Sequence, residues 1–461
     1  MTGIAQRLAR PVERALGGGG LPVRLRAWDG SEAGPAGAPV VVLRSRAALR
    51  RLLWEPGELG LAQAYVLGEL DVEGDLAEGL RTVWRAVRER GLRPRRMPTR
   101  DRLRAAGTAL RLGALGPRPP APRTQAALDG AVHSRARDRA AISHHYDLSN
   151  AFYRLLMDGS MAYSCAYWTS DDPSYGLARA QHDKLELICR KLGLRKGARL
   201  LDVGCGWGSL SLHAAEHHGA RVVGVTLSRE QRDFVRGRIE ERGLADRVEV
   251  RLQDYRELEE EAGGCFDAVA TVEMGEHVGD AQYPAFAAIL HRMLRPGGRL
   301  LVQQMSRGAR APGGGAFIES YVAPDMHMRP LGATVGLLEA AGLEVRGTES
   351  LREHYVRTVG AWHRTLEERW EEFAALVGEE TARVWRLYLV GGALAFEERR
   401  MGVDQIVAVR PAADGTSGMP ATPAGWYLPA GAASPASSAG AAGPDGPAGP
   451  QGPAAPAGVA R

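Results

Sequence analysis

Two periods of apolar and polar positions alternate along much of this chain. Short apolar runs at 199–204 (RLLDVG), 221–226 (RVVGVT), 247–252 (RVEVRL), 266–272 (FDAVATV), 299–305 (RLLVQQM) and 405–410 (QIVAVR) have the length and β-branched content of buried strands. Helical patterns separate most of them. LARAQHDKLELICRKL (177–192) precedes the first run and GSLSLHAAEHH follows it. Two long patterns, 357–376 and 379–399, precede the last. Strands alternating with helices predict a parallel α/β sheet over about 135–410. Residues 1–130 mix short apolar runs such as APVVVLRS (38–45) with helical stretches such as DLAEGLRTVWRAVRER (75–90), as a smaller α+β domain would. The stretch from GLRPRRMP to GPRPPAPR reads as a linker. Residues 411–461 are Ala, Gly, Pro and Ser with almost no charge, and too few collagen-like triplets for a triple helix; the prediction is a disordered tail.

Composition narrows the class. The chain has 461 residues, 44% of them hydrophobic, ample for a core. Its four cysteines, Cys165, Cys189, Cys205 and Cys265, form no CxxC pair, and no Cys/His set has zinc-ligand spacing, so a reducing compartment and no metal are expected. The N-terminal stretch lacks the apolar segment of a leader peptide. The longest apolar run, 387–396, falls short of the roughly 20 residues that cross a bilayer. The expected location is cytoplasmic, or peripheral at the inner membrane surface. The net charge is +5, and nine arginines crowd residues 84–104. Such a stretch attracts anionic phosphates, those of lipid head groups or of nucleic acid; no nucleic-acid-binding motif accompanies it, so nucleic acid is not an expected partner. A solvated arginine-rich connector is the alternative.

LLDVGCGWGSL (200–210) is a strand, a glycine-rich turn and a helix start. Gly204, Gly206 and Gly208 allow a sharp turn and a close approach of backbone to ligand. A dinucleotide fingerprint spaces its glycines G-x-G-x-x-G for a pyrophosphate. Here the third glycine comes one residue early and Asp202 lies just before the turn. An acid there suits a ligand bearing an ammonium group, such as S-adenosylmethionine, and repels a pyrophosphate. GVTLSREQ (224–231) offers Thr226, Leu227 and Gln231 near the ribose. QDYR (253–256) offers Asp254 as an acceptor for the adenine amino group. MAYSCAYW (161–168) places Cys165 among aromatic residues, which is either a small buried hydrophobe or part of a site.

Taken together, HYDLSNAFYRLLMDGSMAYSCAYW (145–168), LLDVGCGWGSL, GVTLSREQ, QDYR, VEMGEHVG (272–279) and HYVRTVGAW (354–362) resemble the cyclopropane-fatty-acyl-phospholipid synthases and the related mycolic-acid and branched-lipid methyltransferases. GELGLAQAYVLGELDVEGDL (57–76) is similar to the N-terminal domain of the full-length phospholipid enzymes, so the resemblance covers about 35–410. It implies a class I methyltransferase fold, Rossmann-like, with a mostly parallel seven-stranded sheet. It implies S-adenosylmethionine as methyl donor, with Tyr163 and Ser164 joining the donor site. The implied substrates are membrane phospholipids with unsaturated acyl chains, and a homodimer is one compatible state. The implied reaction transfers a methyl group to an alkene carbon and then removes a proton, closing a cyclopropane ring; a methylene or methyl branch on the same chain is the alternative, and methylation of a soluble small molecule a further one. A bicarbonate base held by Cys165, Glu276, the residue at position 303 and Tyr355 is also implied. Tyr163, Tyr167 and Tyr355 would face the developing cation. The departure is Gln303, standing where the resemblance expects a histidine. Glutamine donates hydrogen bonds but cannot carry a titrating proton, which brings the branched product into play.

Overall fold

Both periods fold as the patterning predicts in the computed structural model of the chain, which describes residues 3–15, 20–91, 107–108, 110–126, 130–138, 141, 149–260, 263–308 and 313–427. The arginines at 93, 95, 96 and 100, the HYDL part (145–148) of the first family-like motif and residues 428–461 lie outside these. Among the described residues the strands form two sheets. The first joins β1 (Arg24–Arg26), β2 (Glu32–Ala33), β3 (Val40–Leu43) and β4 (Leu70–Glu73) in the order β2-β1-β3-β4. The second joins β5 (Arg199–Val203), β6 (Arg221–Thr226), β7 (Val248–Leu252), β8 (Phe266–Val272), β9 (Leu294–Ser306), β10 (Glu344–Ser350) and β11 (Gly402–Val409). Its order is β10-β11-β9-β8-β5-β6-β7, and β11 alone runs against its neighbours. This is the class I methyltransferase sheet.

The central strands are apolar because helices cover both faces. Leu200, Leu201, Val203, Ala268, Val269, Leu300, Leu301 and Val302 are fully buried. β10 is the strand that the patterning did not predict. It is an edge strand whose residues (EVRGTES) are half-buried or exposed, so it shows no apolar run.

Residues up to Pro420 make one compact unit; Ala421–Arg461 make another, of which the described part is a short turn of helix at Pro423–Trp426. Within the first unit the N-terminal sheet shares its core with the helix Glu379–Glu397. Leu8, Leu25, Leu43, Tyr65 and Leu76 pack with Val390 and Leu394. Arg383 of that helix is buried under the sheet, donating to the carbonyls of Tyr65 (2.6 Å) and Leu70 (3.2 Å) and pairing with Asp71. Residues 411–420, predicted as the start of the tail, form a turn. Asp414 accepts from the Thr416 amide and hydroxyl, and Arg299 reaches the Gly418 carbonyl.

In the second sheet, β8 and β6 flank β5 on opposite sides, and the chain order reverses there. In open α/β sheets ligands bind at this switch point, beyond the carboxyl ends of the strands. The loops after β5, β6, β7 and β8 meet there, over a cleft of about 1240 Å³ counting its open mouth.

Candidate active site

The donor half is built by the turn after β5. Gly204 and Gly206 both have positive φ (80° and 53°), where any side chain adds strain. A Cβ on Gly204 would also lie 2.7 Å from the Met274 side chain. Gly204 and Cys205 both donate their amides to the Val225 carbonyl (3.0 Å each), tying the turn to β6. Asp202 is buried at the end of β5 and accepts from the Ser211 hydroxyl (2.7 Å). Burial raises its pKa to about 6. A cation bound beside it would replace the lost solvation, which fits the ammonium of S-adenosylmethionine. Thr226 donates to the Gln231 side-chain carbonyl (2.8 Å), and Ser228 caps the helix Arg229–Glu241.

Asp202, Gly204, Gly206, Thr226, Leu227, Gln231, Tyr163 and Ser164 all line the cleft. Asp254 does not. Its neighbours Gln253, Tyr255 and Arg256 do, while its carboxylate accepts from the Arg256 amide (3.0 Å) and both ends of the Arg256 guanidinium (2.9 and 2.8 Å). Its proposed role toward adenine therefore competes with an ion pair already in place.

The inner end of the cleft departs from the sequence reading. Cys165, Gln303 and Tyr355 do converge, but on Glu273 rather than Glu276. The Cys165 amide donates to Glu273 Oε1 (2.7 Å), Gln303 Nε2 to the same oxygen (2.9 Å) and the Tyr355 hydroxyl to Oε2 (2.5 Å). Of these four residues, Glu273 alone lines the cleft; the others hold it from behind. Glu273 is the first residue after β8, with φ of 54°, a conformation that costs a non-glycine residue about 1–2 kcal/mol. Burial pushes its pKa up, while Tyr355, Cys165, Gln303 and the Lys184 charge push it down. Lys184, itself buried, donates to the Ser164 hydroxyl (2.9 Å) and lines the same cleft.

Glu276 sits elsewhere. Its Oε1 accepts from the Met305 amide (2.5 Å), and its Oε2 is buried with no hydrogen-bond partner among the described residues. Burial, then the nearby Glu273 charge, lifts its pKa to about 8. Burial raises both carboxyls; three donors and the Lys184 charge oppose the rise at Glu273, while Glu276 keeps its proton at neutral pH.

Gln303 presents its N–H groups because a buried relay dictates the amide orientation. Lys191 Nζ can only donate, and it donates to Gln405 Oε1 (2.6 Å). That leaves Gln405 Nε2 to donate to Gln303 Oε1 (2.9 Å), and Gln303 Nε2 to donate to Glu273. Lys191 is closed at its other side by Glu349. An implied bicarbonate does not fit this cradle: the Cys165, Gln303 and Tyr355 donors that would hold it are already committed to the Glu273 carboxylate.

The Cys165 thiol is not a nucleophile. It lies fully buried over the Leu351 carbonyl (3.6 Å), and burial raises its pKa well above the usual thiol range. Tyr163 faces the cleft amid Trp207, Trp362 and Trp385, its hydroxyl bonded to that of Tyr388 (3.2 Å). Tyr167, expected beside the cation, points away: it stacks on His354 (4.8 Å) and donates to Glu349. His277 lines the cleft, and burial lowers its pKa to about 4. Away from the cleft lining, His182, His213 and His217 bring ligand atoms within 4.8 Å of one another on two adjacent helices, a grouping that could hold a metal and that spacing along the chain does not reveal.

The sequence model of the mycolic acid cyclopropane synthetase family matches residues 133–406. The chain belongs to this family. It is a methyltransferase that uses S-adenosylmethionine. It is 39% identical to a "probable fatty acid methyltransferase" of Pseudomonas putida over 412 residues, 87% of this chain and 95% of that one. It is 31% identical to a tuberculostearic acid methyltransferase of Mycobacterium tuberculosis over 420 residues, 88% and 91% of the two chains. A mycolic acid cyclopropane synthase solved with SAH and CTAB superposes with a TM-score of 0.54 at 30% identity, covering 59% of this chain and 97% of that one. Among the described residues, no helix is long and apolar enough to cross a membrane.

Proposed function

We propose that this methyltransferase acts on a double-bond carbon of an unsaturated acyl chain in a membrane phospholipid, from the cytoplasmic surface of the membrane. The observation that carries the reading is the inner end of the cleft, where a buried carboxylate and the ring of Tyr163 face the same space as the donor turn. S-adenosylmethionine supplies an electrophilic methyl on a sulfonium. Asp202 faces the donor's ammonium, and the glycine turn lets the backbone approach. An alkene is a weak nucleophile, so holding it in line accounts for much of the rate. The aromatic wall stabilises the cation left on the chain, and Glu273 stabilises it by charge.

Cyclopropane and branched products differ in which proton leaves and whether hydrogen shifts first. The branched product is favoured by Gln303, which supplies no titrating group, and by the methyltransferase names of the relatives matched along most of the chain. For the membrane contact, support comes from the N-terminal third, where Leu53, Trp54, Leu61, Leu110 and Leu115 are exposed and the arginine-rich stretch adds charge.

The test is methyl-labelled donor with vesicles of monounsaturated phosphatidylglycerol. Acyl esters should gain one labelled CH₂, and gas chromatography should resolve ring from branch. Label passing only to water-soluble acceptors would refute the reading.

A further inference from the structure

We propose that Glu273 is the base that takes the proton released after methyl transfer, so that the chain carries its own anion in this cradle and works without bicarbonate. The proposal rests on the alkene-methylation reading above.

Three observations carry it. The first is convergence. An amide from the 161–168 loop, an amide side chain from β9 and a phenol from the helix Arg352–Glu368 all aim at one carboxylate. Three donors with no sequence proximity make a built anion site, and the anion is a side chain of the protein. The second is placement. Glu273 faces the cleft between the aromatic wall and the donor turn. Oε1 carries two donors and Oε2 the Tyr355 hydroxyl, which leaves the Oε2 side the less engaged. The third is backbone. A left-handed glutamate just past a strand is strained, and its side chain is over-determined by its partners; strain of this kind persists where a position is held for a task.

The step balances. The alkene π pair forms the new carbon–carbon bond as the methyl–sulfur bond breaks, and that bond's electrons stay on sulfur. The cation on the acyl chain then gives one proton to a Glu273 oxygen. The released C–H pair becomes a C=C bond or closes the ring. The carboxyl passes the proton to solvent and is reset. Burial fits this use, because a carboxylate out of water is a stronger base.

The experiment compares the parent with Glu273→Gln and Glu273→Gly, using the labelled donor and phosphatidylglycerol vesicles in buffer stripped of carbon dioxide and in buffer with bicarbonate or formate. The parent should turn over equally in all of them. Glu273→Gln, nearly isosteric, should be slower by at least about 100-fold and stay so with added anion, because its amide still fills the cradle. Glu273→Gly relieves the backbone, opens the cradle and should recover about tenfold or more with bicarbonate or formate. Donor affinity by calorimetry checks that each variant is folded. A parent that stops when bicarbonate is removed, or a Glu273→Gln variant that keeps more than about a tenth of the rate, overturns the proposal. A readout free of any lipid is binding of carbon-13 bicarbonate by NMR: Glu273→Gly should bind and the parent should not. If the parent methylates no lipid, the functional reading fails, and the NMR comparison still decides whether Glu273 owns the anion site; binding by the parent would refute that.

Discussion

Replacing Gln303 with leucine should move the pH dependence of catalysis in a direction that the hydrogen bonds fix. Glu273 works as a base only when ionised. Donors to the ionised form hold its pKa down, so removing one raises it, and activity is then lost at higher pH as the solution is acidified. The Gln303 bond, 2.9 Å to a charged acceptor, is worth about 1.5–3 kcal/mol. At 1.36 kcal/mol per unit, the low end alone displaces the acid limb of the kcat/KM profile upward by about one pH unit. Leucine also strands the Gln405 amide, which had Gln303 as its acceptor, at about 1–3 kcal/mol of stability. Activity must therefore be read at a temperature where the variant is folded. The assay is the labelled-methyl transfer across pH, with circular dichroism at each point. A rate that falls uniformly at every pH, with the acid limb unmoved, would refute the idea that Gln303 acts through the charge of Glu273.

Other outcomes follow from neighbouring features. Glu276→Gln should flatten the pH dependence of stability: the folded pKa of about 8 lies above the ordinary 4.5, so the fold loses stability as pH rises through that window, and the variant should gain in melting temperature over the parent near pH 8 but not near pH 5. The same change should cost less than about tenfold in turnover, because Glu276 lies outside the cleft lining. Gly206→Val forces a β-branched residue to a φ of 53° at the cleft wall and should abolish donor binding by calorimetry; unchanged affinity would mean the donor lies elsewhere. Changing Arg93, Arg95, Arg96 and Arg100 to serine should weaken sedimentation with anionic vesicles by about 1 kcal/mol per charge, and added salt should do the same to the parent; equal, salt-independent binding would exclude this contact.

Most of the large sheet was legible because six of its seven strands carry an apolar run or an apolar alternation of strand length. β10 does not, since its residues EVRGTES are half-buried or exposed throughout, whereas β7 at the other edge still buries Val248 and Val250. The N-terminal strands are weaker still; β2 spans Glu32–Ala33 alone. The sharing of a core between that region and the helix Glu379–Glu397 depends on Arg383 meeting carbonyls more than 300 residues away, which no local pattern encodes. The donor side was legible because it is local. One strand, one turn and one helix supply Asp202 and the glycines, and the spacing of that unit carries the chemistry.

The base was not legible for the opposite reason. VEMGEHVG holds two glutamates three residues apart, and spacing alone cannot say which carboxylate enters the cleft. Motif likeness favoured Glu276. The available signal was position: Glu273 is the first residue beyond β8, at the carboxyl edge where such sheets bind ligands. Gln303 looked like a mismatch for a related reason, because a residue's role was judged without its partners. Pairing of β9 with β11 sets Gln405 directly opposite Gln303, and Lys191 arrives from a helix 214 residues away. A histidine at 303 would need its own arrangement of donors; a glutamine fits a relay that begins at a lysine and ends at a carboxylate. The glutamine and the displaced glutamate are therefore two halves of one change. Once the chain supplies a fixed negative charge, the neighbour at 303 has only to donate a hydrogen bond, and a titrating ring there would compete with Glu273 for the proton.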